Sequence, residues 1–284
     1  MNLNDRAMMV QLNISQWTAR RYDRKASAEI TDANNATRDA ARVNKLLLPG
    51  ADSLKVVHQY STCVRQLVYD NTASCGIDGM QILANANYLS FSAQYRKDKA
   101  VWEQAVNEFC AEYPALRAAA PRKLQGLYNS NDYPEEHEIR NLFRMELVFF
   151  PIPEGKNIRI PVSNDELTKI QQQVEDRVDT AAKAAMRDVW QRLFDKVQHI
   201  AAKCSDPSAI FRDTMIENAR EICEVLPRLN FMDDPQLEAL RLEVESQLLV
   251  HPDRLRTDPV LRSDTAAKAR EIMDKMNSIM GGGA

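Results

Sequence analysis

The sequence predicts a mainly α protein with a small antiparallel β-sheet, an α+β chain whose second half holds one long helix followed by an antiparallel helical bundle. Three observations carry this. Only 8 of 284 residues are glycine, too few for the tight turns of an all-β architecture. Apolar residues recur every three or four positions through most of the second half, the period of a helix face. Strand-like runs are confined to the N-terminus and to residues 147–162.

Taken in order, AMMVQLNI (7–14) reads as a short strand. SQWTARRYDRKASAEI (15–30) reads as a helix with Ser15 as its cap, broken by DANNAT (32–37). A second helix is expected through Leu48, stopped by Pro49-Gly50. Leu54, Val57, Tyr60, Val64 and Leu67/Val68 give a helix over 53–69. DNTASCGIDG (70–79) is the most loop-like stretch. Tyr95, Trp102, Val106 and Phe109 mark a helix over 92–109, Pro114 and Pro121 bound a short helical piece, and NSNDYP (129–134) is a loop. LVFFPIP (147–153) and NIRIPV (157–162), separated by Glu154-Gly155-Lys156, read as a hairpin at a sheet edge, because proline cannot donate to a ladder. The N-terminal strand is its expected partner.

Ser163 and Glu166 have capping-box spacing. From Leu167 an apolar stripe runs through Ile170, Val174, Val178, Ala181, Ala185, Val189, Leu193, Val197 and Ile200 without Gly or Pro. Such a rod is ~60 Å long, so part of its stripe needs another helix or another chain, as in a coiled coil. Asp206-Pro207 and Asp234-Pro235 open helices over 207–226 and 235–249. Asp258-Pro259 opens a turn, Ser263 caps a last helix over 264–279, and the GGGA end frays. The expected regions are 1–162 (α+β) and 163–280 (all-helical), packed as one domain or two.

Composition narrows function. A formal charge of −3 argues weakly against a protein that coats nucleic acid. The five cysteines have no C-x-x-C spacing and read as reduced, mostly buried thiols of a cytoplasmic protein. No signal-peptide pattern or membrane-length apolar run is present.

Chemistry is sparse. The four histidines never fall three to five residues apart, so a helical metal pair is missing. Glu135-Glu136-His137-Glu138 reads as a solvated helical first turn. No P-loop, dinucleotide fingerprint or nucleophile elbow occurs. No cofactor or catalytic residue is assigned, although Cys75 in its loop, with His58 as a conceivable base, is the best candidate for a reactive thiol.

The most distinctive segment is WTARRYDRK: Arg20, Arg21, Arg24 and Lys25 beside Trp17 and Tyr22, followed by Arg38, Arg42 and Lys45. Interleaved arginines and aromatics stack bases and grip phosphates. The same pattern also describes an amphipathic helix whose Trp17 packs inward while its arginines pair with acids, or a surface for an acidic protein. Trp190 reads as core or interface, and Met273, Met276 and Met280 as an adaptable apolar face.

Four strings in order, LNISQWTARRYDRKAS, FFPIP, DVWQRL and IFRDTMIENAREICEVLPRLN, resemble the domain of unknown function 3150 family of tailed phages and prophage-bearing bacteria. The resemblance covers nearly the whole chain and carries over no functional residue. It implies a phage protein working near a MoxR-type AAA+ ATPase and a von Willebrand A-like protein. The expected function is a non-enzymatic interaction protein or adaptor that presents helical surfaces, self-associating or joined to those partners. The alternative is a nucleic-acid-binding accessory protein using the Trp17–Lys25 segment.

Overall fold

In the computed structural model, residues 3–206, 208, 209 and 211–281 are described. In chain order they form β1 (Ala7–Ser15), β2 (Arg20–Tyr22), α1 (Arg24–Ala33), β3 (Asn44–Leu46), α2 (Asp52–Asn71), β4 (Ala73–Ser74), β5 (Gln81–Ala84), α3 (Tyr88–Leu124), β6 (Arg144–Phe150), α4 (Asn164–Ser205), α5 (Thr214–Leu229), α6 (Pro235–Leu248), α7 (Pro252–Thr257) and α8 (Pro259–Gly281). The fold is mainly α with a small antiparallel sheet of strand order β4-β5-β1-β6, and a separate ribbon β2-β3.

The chain divides into two compact units: Met1–Gln11, Val68–Ser92 and Leu147–Ala284 form unit 1, and Leu12–Leu67 with Ala93–Glu146 form unit 2. This division differs from 1–162 and 163–280. The start of β1 and the 68–92 segment belong with the C-terminal helices, because Ala7, Met9, Ala73, Ile82 and Ala84 share one core with α4.

Unit 1 is built on α4. Ala181, Ala185, Val189, Leu193, Val197 and Ile200 are buried against α5 and α8. Small residues at 185, 219 and 269 are fully buried and let helix backbones approach. Each buried Leu, Ile or Val side chain contributes ~1.5–3 kcal/mol. Ser163 caps α4, accepting the Glu166 N–H at 3.4 Å. Asp234 caps α6 as predicted, through Gln236 and Leu237. The last helix starts earlier than expected: Asp258 accepts the Val260 and Leu261 N–H groups, each at 3.0 Å, so Ser263 lies inside α8. Helix α5 begins at Thr214; Pro207 lies outside the described residues, as does the 282–284 tail. The short α7, capped by the His251 ring, was not anticipated.

The expected hairpin is absent. β6 forms, but 157–162 has no strand. Instead the Asn4 side chain takes the place of a neighbouring strand: its Oδ1 accepts the Ile152 N–H at 2.8 Å and its Nδ2 donates to the Ile152 carbonyl at 3.0 Å. Gly155 is needed for close approach rather than for a hairpin turn, since a Cβ there would sit 2.5 Å from the Gln171 carbonyl oxygen of α4.

Unit 2 is organised by aromatics. Trp17, Phe109, Tyr113 and Phe143 form a chain of tilted and edge-on ring contacts. Three of the unit's buried aromatic polar groups find partners, which burial favours: Trp102 Nε1 donates to Ser61 Oγ at 2.8 Å, Tyr133 to the Leu47 carbonyl and Tyr113 to the Pro134 carbonyl, both at 2.7 Å. The helix over 53–69 is α2, although Ser61, not Tyr60, takes the buried position. Pro114 and Pro121 do not bound a separate piece; both lie within α3, whose Phe109, Tyr113 and Ala120 are buried on either side and hold it continuous despite the lost backbone bonds.

Candidate functional site

Two surfaces stand out, one in each unit. In unit 2 the predicted 15–30 helix is replaced by β1 running to Ser15, the strand β2, and α1 capped by Asp23. Ala19 breaks any helix there: it is buried at φ 51°, and its carbonyl accepts the Leu47 N–H at 2.8 Å. The second expected helix is also overturned. Its sequence supplies β3, with Arg20 opposite Leu46, Arg21 opposite Lys45 and Tyr22 opposite Asn44.

Strand alternation sorts the basic residues onto two faces. On one, Lys45 meets Asp132 at 2.8 Å and Asp23 at 3.7 Å, and Arg21 reaches Asp132 at 3.7 Å. The Lys45 side chain is only 10% exposed, so its charge is spent within the fold. Arg20 and Tyr22 lie on the opposite face, and Arg42 stacks over the Tyr22 ring at 4.8 Å. Arg20, Arg24 and Arg38 are exposed, and none of their side chains pairs with another described residue. Lys25 is 88% exposed, with a loose contact to Glu29 at 3.8 Å. Trp17 is withdrawn from this surface into the aromatic chain with Tyr113 and Phe109. Asp23 is held below the usual carboxylate range by the Ala26 N–H it caps, with Lys45 adding to the shift. The arginines are therefore displayed, but the tryptophan is not.

Beside this face the structure collects residues the sequence did not associate. A cleft of about 370 Å³ in unit 2 is lined by Gln16 and Arg20, by Leu46 and Leu48, and by Leu54, Lys55 and His58 of α2. The signal for it was the β2–β3 pairing, hidden because both strands lay in segments read as helix.

In unit 1 the first four turns of α4 differ from the rest. Every buried residue of α4 lies at or beyond Ala181. Leu167, Ile170, Val174 and Val178 remain half-buried, and Ile160 and Val162 just before the helix are exposed. Alongside lies an apolar cavity of about 280 Å³ bounded by Met9, Ile82, Ile152, Val174 and Val178. The predicted surplus of apolar stripe is thus located in the leading half of the rod.

The remaining candidates lose their chemistry. Cys75 directly follows β4 in a loop but is 2% exposed, with its thiol on the Met80 carbonyl at 3.4 Å. His58 belongs to unit 2 and bonds the Trp17 carbonyl at 3.1 Å. All five cysteines are free: Cys75, Cys204 and Cys223 are buried, Cys110 half-buried and Cys63 exposed. Burial pushes Cys204 and Cys223 up to about 11, away from the thiolate that reacts. Glu135 forms a two-pronged pair with Arg117 at 2.9 and 3.0 Å, and 135–138 is a turn rather than the start of an α-helix. Trp190 is core, its Nε1 donating to Asp234 at 3.0 Å. Among the described residues no group of His, Cys, Asp and Glu could hold a metal ion, and no helix is long and apolar enough to cross a membrane. Compared with known proteins, the chain matches no family model, no curated protein and no solved structure.

Proposed function

We propose that this protein is a non-enzymatic interaction protein whose partner covers the leading half of α4. The observation that carries this is the half-buried row Leu167, Ile170, Val174 and Val178 beside the apolar cavity. A row of aliphatic side chains at helical spacing gains stability when a second apolar surface removes it from water. The family resemblance supplies the partners to test: a MoxR-type AAA+ ATPase and a von Willebrand A-like protein, in the bacterial cytoplasm if the chain is phage-encoded. Self-association is the other way to cover the row. Co-purification of the full chain with each partner at micromolar concentration, with light scattering of the chain alone, tests the reading. Formation of a complex or oligomer that Ile170→Asp with Val174→Asp abolishes supports it. A compact monomer that joins neither partner overturns it.

A second reading, nucleic-acid binding, is favoured by a specific observation: Arg20, Arg24 and Arg38 stand exposed, without partners among the described residues. Phosphate contacts made by such side chains release counterions, so affinity falls steeply with salt. Electrophoretic mobility of single- and double-stranded DNA at low salt checks it, and unchanged mobility counts against it.

A further inference from the structure

We propose that the cleft between the β2–β3 ribbon and α2 is a binding site for a nucleotide unit, either free or as one residue of a single strand. The cleft lining holds two chemically distinct sets of groups. Leu46, 50% exposed, lines the cleft with the buried Leu48 and Leu54, and these form an apolar wall that fits the face of a base. Beside this wall are cations and donors, Arg20 being the cross-strand partner of Leu46 on the same ribbon face. Arg20 carries a guanidinium that no described residue engages, and its fork matches a phosphate's oxygens. Lys55 lies on the rim, with Asp52 at 2.7 Å as its present partner.

Two further groups are held in place by the fold. The Trp17 carbonyl can only accept, so the 3.1 Å contact makes His58 Nε2 the donor; Nδ1 is then an acceptor for a hydroxyl when the ring is neutral and a donor to an anion when it is protonated. Gln16 is fixed by a buried relay: Trp102 Nε1 donates to Ser61 Oγ, which donates to Gln16 Oε1 at 2.6 Å. Its amide hydrogens remain as donors at the cleft. A pocket of this volume, with an apolar wall and a few fixed polar groups, is the usual form of a small-ligand site. A bare inorganic anion would leave the leucine wall unused, and an apolar ligand would leave Arg20 unused; a phosphorylated nucleoside satisfies both.

The site concerns Arg20 and not the whole basic face, so it is separable from general strand binding. Titration calorimetry of the full chain with uridine monophosphate, and with a 5′-phosphorylated octathymidylate, distinguishes the two sources. Binding of either probe, weakened about tenfold or more by Arg20→Glu and also weakened by Leu46→Asp, supports the site. Both residues are exposed, so far-ultraviolet circular dichroism is expected to match the parent. Absence of heat with both probes at millimolar concentration overturns the site. So does oligonucleotide binding that Arg24→Glu with Arg38→Glu reduces while Arg20→Glu and Leu46→Asp leave it intact; that result keeps strand binding and removes the cleft.

Discussion

The leading half of α4 and the basic face around β2 both display residues that the fold covers only in part or not at all, yet the two displays differ in kind. An exposed arginine is already solvated, and water is an adequate partner. An aliphatic row along four helical turns gains by being covered. The charge distribution follows the same division: unit 2 has 17 Lys and Arg against 14 Asp and Glu, unit 1 has 20 against 26. The sequence total of −3 averages a basic unit with an acidic one and conceals both. Half-buried apolar side chains are therefore the stronger evidence for a protein partner, and the arginines the stronger evidence for an anionic one.

The largest effect should separate the two halves of α4. Leu193 is fully buried, so Leu193→Ala is expected to cost ~2–5 kcal/mol. Ile170→Ala, at a half-buried position, should cost ~1 kcal/mol or less. Urea unfolding of both variants measures the difference. Equal costs would mean that the leading half is core after all, and the comparison would fail.

Next in size is Gly155→Ala. Its Cβ would fall 2.5 Å from a backbone oxygen of α4, and backbone cannot swing aside as a side chain can. A loss of ~1–3 kcal/mol is expected, with hydrogen exchange of 165–175 accelerated before that of 185–200. Uniform acceleration would show that the 155–157 turn does not hold the leading half.

These two experiments also mark where sequence was informative. The α4 stripe and the Asp234 cap were legible because a 3.6-residue period and a capping side chain are local signals. The β2–β3 ribbon was not, since it depends on Ala19 at positive φ and on the Val43 carbonyl accepting the Asp23 N–H at 2.9 Å. Strand pairing between residues some 25 positions apart leaves no periodic trace in so few residues. The hairpin failed because a single side chain, Asn4, bonds the backbone that a strand would have bonded. The basic residues were found by composition alone; the cleft beside them needed Leu46, Leu48 and His58, which carry no composition signal.

For the basic face, Arg20→Glu with Arg24→Glu tests surface against scaffold. Both side chains are exposed and unpaired among the described residues, so folding stability should change by no more than ~0.5 kcal/mol. Any DNA affinity should fall about tenfold or more, with a shallower salt slope. Lys45→Ala should do the reverse. Its charge is paired with Asp132 and Asp23 inside unit 2, so stability falls and DNA binding holds. Equivalent behaviour of Lys45 and Arg20 would erase the distinction between the two ribbon faces.

The smallest effect is electrostatic and concerns Asp23, which joins the ribbon to α1. Its carboxylate accepts the Ala26 N–H at 3.0 Å, and its pKa lies below the usual 3.8. A depressed carboxylate stabilises the fold fully above its unfolded value and loses that contribution as pH falls through the folded one. The first turn of α1 should therefore be indifferent to pH from 7 to 5 and loosen only below about 4, read from the Ala26 amide resonance. Asp23→Ala removes the cap at every pH, at ~1 kcal/mol. Asp23→Asn keeps a capping oxygen but cannot ionise, so it should retain the helix and abolish the acid transition of that amide. If the Asn variant still shows the transition, the charge on Asp23 is not what ties α1 to the ribbon, and the arginines beside it are positioned by some other contact.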